Sequence, residues 1–221
     1  SPLTNMTTTS SSSFASASPA YVDIGANLLD DRFTRGTYHG KNRHEPDFDA
    51  VLSRAENAGV KHLVLTAGTL RESKEAVETV RRLRQANASI SLYCTVGVHP
   101  TRCNEFNDSG DPNKHLQELI AAALDGEKDG VVCAVGEMGL DYDRLQFCPK
   151  QTQLDYFKLQ LRLAQSTQLP MFLHNRNVND DLYNLLKDNQ DMWRTSGGVV
   201  HTFDDSAELA AKFMDLGLFI G

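Results

Sequence analysis

From Tyr21 onward the chain alternates short apolar runs with amphipathic stretches. The runs are YVDIG (21–25), HLVLTAG (62–68), SLYCTVG (91–97), VVCAVGE (131–137), PMFLH (170–174), GVVH (198–201) and GLFIG (217–221). They are short, apolar and rich in β-branched residues, which predicts strands of a parallel sheet buried on both faces. The stretches between them carry helical spacing. Leu154, Phe157, Leu161 and Ala164 fall on one face of a helix predicted over 150–167, with Pro149 at its start. Phe48, Val51, Leu52 and Ala55 predict a helix ending at Gly59, and Asp205 with Glu208 reads as a capping box ahead of Leu209 and Phe213.

Seven strand runs separated by helices, with no hairpin signal between them, predict an α/β fold with parallel strands. The first turn, DIGANLLDDRF, has neither G-x-G-x-x-G nor G-x-x-x-x-G-K, so nothing in it favours a doubly wound nucleotide-binding sheet. The expectation is a (β/α)8 TIM-type barrel over 20–221, with seven strands in this sequence and the eighth missing at the C-terminal side. A barrel of that kind runs to ~250 residues.

Composition narrows the setting. Residues 1–19 are Ser/Thr-rich and uncharged, which predicts a disordered tail. The net charge of −7 argues against a groove-reading DNA-binding module. Four scattered cysteines form no C-x-x-C pair and predict a reducing compartment, cytoplasmic or nuclear, with Cys94 and Cys133 as packed strand thiols and Cys103 and Cys148 as loop residues with no paired partner. The Ser-rich, acid-poor start leaves a plastid location open. No apolar run is long enough to span a membrane, and no obligate protein partner is evident.

The chemistry stands where the runs end. His99 follows the third, Glu137 closes the fourth, His174 the fifth and His201 the sixth, each about one βα unit from the last. In a barrel these four side chains reach the face that carries active sites. Three imidazoles and a carboxylate suit a divalent ion such as Zn²⁺ or Mn²⁺, and such a site does hydrolysis. Glu137 is the candidate bridge between two ions. Asp23 in the first run is a further candidate ligand, with a structural role as the alternative. Arg176 is a candidate phosphate clamp against the alternative of a surface ion pair, with Arg102 and Arg144 behind it. Asp141 reads as a loop organiser, and His39, His44, His62 and His115 receive no function.

The segments VGVHPTRCNEF (96–106), VGEMGLDYDRLQFCPK (135–150), LPMFLHNRN (169–177) and GGVVHTFD (197–204) together resemble the TatD-type deoxyribonucleases. DIGANLLDDRF resembles that family's opening as well. The resemblance implies a (β/α)8 barrel and a metal-dependent, exonuclease-like hydrolysis of DNA phosphodiester bonds with two divalent ions (Mg²⁺, Mn²⁺ or Zn²⁺). It implies Glu137 as the catalytic, metal-bridging carboxylate, His174 and His201 as ligands, and His99 as a catalytic residue that binds a further ion or the scissile phosphate. Two departures stand out. Relatives with D-x-H-x-H in the first strand have a histidine where this chain has Asn27, and the family's last ligand, an Asp in T-D-x-P, is not in this sequence. A small-molecule amidohydrolase on the same barrel and a non-catalytic binding protein or fragment are the alternatives.

Overall fold

The computed structural model describes residues 20–86 and 89–221, so the expected Ser/Thr-rich tail over 1–19 lies outside the described residues. The described residues contain nine strands: β1 (Tyr21–Ala26), β2 (Thr37–Tyr38), β3 (Lys41–Asn42), β4 (Val60–Leu65), β5 (Ser91–Val96), β6 (Val132–Asp141), β7 (Met171–Arg176), β8 (Gly198–His201) and β9 (Phe219–Ile220). Seven of them form one parallel sheet in the order β1-β4-β5-β6-β7-β8-β9, one strand from each apolar run. Helices connect them, as parallel pairing requires.

The sheet is curled. Gly25 on β1 and Phe172 on β7 are separated by β4, β5 and β6 in the sheet, yet a Cβ at Gly25 would lie 3.4 Å from Phe172 Cζ. The two end strands, β1 and β9, do not pair with each other. One expectation is therefore corrected. Tyr21 and Val22 on β1 are 51% and 59% exposed and Phe219 on β9 is 76% exposed, because an end strand has a neighbour on one side only.

The core between sheet and helices is built from fully buried side chains such as Leu65, Leu92, Phe106, Phe157, Leu161 and Trp193, each worth roughly 1.5–3 kcal/mol of burial. The helix Lys150–Thr167 forms as its spacing predicts, with Phe157, Leu161 and Ala164 buried, and ends on Gln168 at φ 56°. The helix Phe48–Asn57 is followed by Gly59 at φ 96°. The cap of the helix Ala207–Asp215 differs from expectation. Ser206 Oγ, not Asp205, accepts from the Leu209 amide, and Asp205 binds only the Ser206 amide. A short antiparallel hairpin, β2–β3, also appears where no hairpin signal was read.

Among the described residues no helix is long and apolar enough to cross a membrane.

Candidate metal centre

The C-terminal ends of β5 to β8 bring the candidate ligands together. His174 and His201 are register partners on adjacent strands, so the sheet's own hydrogen bonds set their spacing. Glu137 needs a special device, because its strand runs on to Asp141. The register of β6 against β7 slips between Gly136 and Met138, and the Glu137 amide donates to Ala67 O at 3.2 Å. Gly136 makes the slip possible. It sits at φ 135°, and a Cβ there would stand 2.2 Å from Phe172 O.

At the centre, His174 Nδ1 and His201 Nε2 each lie 2.8 Å from Glu137 Oε1. His99 Nε2 is 3.5 Å from the same oxygen. Ligand atoms of His99, Glu137 and His174 all fall within 4.8 Å of one another, and His201 joins through Glu137. Glu137 is only 8% exposed. Burial alone would raise its pKa, but the bonds to His174 and His201 and the charge beside it hold it well below the usual carboxylate range. His174 feels the reverse balance: burial alone would depress it, and the facing carboxylates Asp141 and Glu137 raise it. Burial dominates at His99 and pushes it down to about 4.

Two features of this group fit a divalent cation. The first is the donor set, borderline nitrogens around one buried carboxylate. The second is His174 Nε2, which is buried, makes no hydrogen bond and lies 3.4 Å from Asp141 Oδ2. A lone nitrogen of this kind beside two carboxylates is where a ligand atom would face an ion. His201 is held in place by Phe172, whose ring stacks on it at 4.3 Å and 13°.

His99 is held differently. Its Nδ1 accepts from the Thr101 amide at 3.2 Å and lies 2.8 Å from Thr101 Oγ1. Its ring meets that of His174 edge-on at 4.7 Å.

The group opens into a cleft of about 400 Å³ whose wall includes Arg102, Arg144 and Arg176. Arg176 Nε lies 3.5 Å from Asp204 Oδ2, so the ion pair and the cleft-facing position occur together. Asp23 does not line the cleft; its carboxylate accepts from the Gly25 amide at 3.0 Å. Asn27 does line it, accepting from Thr66 Oγ1 at 2.6 Å. Asp141 does more than organise its loop. It accepts from the Asp143 amide and also faces His174. Sequence reasoning did not single out Thr101, Glu72 or Arg32. Of these, Thr101 was the most accessible, standing two residues after a candidate histidine.

Known proteins resemble this chain over most of its length. The family model described as TatD related DNase matches residues 22–221. A protein named Deoxyribonuclease Tat-D from Schizosaccharomyces pombe is 38% identical over 205 residues, which cover 91% of this chain and 62% of the relative. One named 3'-5' ssDNA/RNA exonuclease TatD from Salmonella typhimurium is 32% identical over 201 residues, covering 90% of this chain and 65% of the relative. The crystal structure of a hydrolase TatD family protein from Entamoeba histolytica superposes with a TM-score of 0.80 at 40% identity, over 93% of this chain and 65% of that one. The chain thus spans less than two thirds of the length of each of these relatives.

Proposed function

This chain belongs to the TatD-related DNase family, and on that premise we propose that it serves a metal-dependent phosphodiesterase that removes nucleotides from DNA. The observation that carries this reading is the buried Glu137 carboxylate, met by three imidazoles while His174 Nε2 is left without a hydrogen bond. Glu137, His174 and His201 would hold the metal, with two divalent ions (Mg²⁺, Mn²⁺ or Zn²⁺) as the working number. When bound, such ions neutralise phosphoryl charge and lower the pKa of water.

The chain's own residues supply the rest. A backbone N–H can only donate, so the Thr101 amide leaves Nδ1 of His99 as the acceptor and puts the ring's proton on Nε2. His99 then offers an N–H toward a phosphoryl oxygen. Arg176 reaches the same cleft with a planar guanidinium suited to a second oxygen. Asp141 and Phe172 orient His174 and His201. Asp23, bonded to its own strand, stands outside this assignment. The four free cysteines suit a reducing compartment, cytoplasmic or nuclear.

The test is hydrolysis of single-stranded DNA with and without a chelator, alongside metal analysis of Glu137→Gln. Chelation should abolish cleavage, and the variant should lose metal and activity together while its circular dichroism stays native. Full activity in metal-free protein, or in soluble Glu137→Gln, would overturn the proposal.

A further inference from the structure

A second groove, of about 940 Å³, opens from the metal cleft and shares Leu29, Asp30, Arg32, Glu72 and Arg102 with it. Its far wall is the hairpin β2–β3. The hairpin turns through His39 and Gly40, at φ 50° and 70°, the two left-handed residues of a tight turn. It is tied down at its base, where Gly36 O accepts from the Arg43 amide at 2.8 Å and a Cβ at Gly36 would meet His44 O at 1.8 Å. None of its four strand residues is buried. The core does not explain why the chain keeps so constrained a unit here.

The hairpin presents Tyr38 to the groove, 46% exposed. The Arg32 guanidinium lies over the Tyr38 ring, 5.6 Å from its centroid and 5.8 Å from that of Phe33, and the His39 ring tilts against Tyr38 at 4.1 Å and 58°. Asp30 holds that guanidinium with two bonds, Nε to Oδ1 at 3.1 Å and Nη2 to Oδ2 at 3.2 Å. The result is an aromatic face beside a fixed planar cation, on a wall continuous with the metal cleft.

Charge says what this wall can grip. Arg32, Arg35 and Arg71 are paired with Asp30, Asp31 and Glu75, while Arg102 makes no ion pair among the described residues. Cations so neutralised hold a phosphate backbone poorly, whereas the exposed part of the Tyr38 ring offers a π-surface to a flat ring. We infer that this groove holds unpaired nucleotides flanking the scissile bond, with a base stacked on Tyr38 beside Arg32. This rests on the phosphodiesterase reading above. A base in a duplex has both faces covered by its neighbours, so a base reaches Tyr38 only after leaving that stack.

The experiment compares wild type, Tyr38→Ala and Tyr38→Phe on two substrates, a ten-residue oligothymidylate and bis(p-nitrophenyl) phosphate, a diester with no flanking nucleotides. Stacking of one base is worth about tenfold, so Tyr38→Ala should lower kcat/KM on the oligonucleotide about tenfold more than on the small diester, through KM. Tyr38→Phe keeps the stacking face and should restore wild-type behaviour. Equal losses on the two substrates, or a Tyr38→Phe defect as large as that of Tyr38→Ala, would overturn the inference. Anisotropy with fluorescein-labelled oligothymidylate in excess chelator separates this inference from the catalytic reading, because it needs no turnover. Wild type should bind about tenfold more tightly than Tyr38→Ala, and equal binding or no binding refutes the groove even in an active enzyme. Binding lost in Tyr38→Ala from a protein that cleaves neither substrate would instead refute the hydrolytic reading alone.

Discussion

Thr101 donates its amide proton to Nδ1 of His99 at 3.2 Å, and this one bond separates His99 from the other two histidines of the cluster. His174 and His201 each direct a nitrogen at Glu137 Oε1 from 2.8 Å, close enough to exchange that contact for an ion. His99 stands back at 3.5 Å with its proton on the side of the carboxylate. The sequence left two roles open for it, an ion and a phosphate, and the bond favours the phosphate.

His99→Ala should therefore keep its metal and lose activity by about 10²–10³, the usual effect of removing one donor to a developing oxyanion. His99→Gln, whose amide also offers an N–H, should recover part of the loss. Metal content by atomic emission alongside kcat decides the matter. A parallel fall in both for His99→Ala would make the ring a ligand after all.

The pKa shift of His174 gives a pH signature. Its folded pKa is raised, so in metal-free protein its contribution to stability is fully present below the unfolded value near ~6.5 and is lost as pH rises through the folded one. Metal binding runs the other way, since a ligand must be deprotonated. The gap in Tm between metal-loaded and chelated protein should widen from pH 6 to pH 8.5. Thermal scans at the two pH values would show a constant or shrinking gap if neither His174 nor His201 were a ligand.

Gly136→Ala tests how Glu137 is delivered. The new methyl would stand 2.2 Å from Phe172 O at a φ of 135°, so β6 and β7 must separate locally. The expected loss is on the order of 2–4 kcal/mol, read from urea unfolding, with activity lost at temperatures where the variant is still folded. A variant of native stability and activity would show that the register slip does not depend on glycine. Gly25→Ala, whose methyl would meet only Phe172 Cζ at 3.4 Å, serves as the milder control.

The strands were legible because each is an apolar run, and the four central side chains because each closes or follows such a run. What escaped depends on neighbours that a linear pattern does not contain. The exposure of Val22 follows from β1 having one partner strand. The hairpin escaped because His39 occupies a left-handed position usually marked by Asn or Gly. Asp141 was read as a loop residue because the run ends at Glu137, whereas β6 continues and carries it back to His174. Asp23 was a candidate from its place inside the first run, but the register of β1 against β4 is irregular between Asp23 and Ala26, and the carboxylate turns to its own strand's Gly25 amide. Thr101 and Arg32 act on other side chains and Glu72 on the Gly68 amide, and no spacing rule marks such residues.

The pairing of His174 with His201 across β7 and β8 has a thermal consequence. Loops around a mouth open and close well below the temperature at which a sheet comes apart, because local openings in a protein span a wide range of free energies. Here the distance between two histidines is a sheet spacing, fixed by backbone bonds that break only when the strands part. The cradle at the centre therefore has no melting point of its own. Heating should leave the spacing of these imidazoles unchanged until the fold is lost, and amide exchange at Leu173 and Val200 should report the loss of both at once.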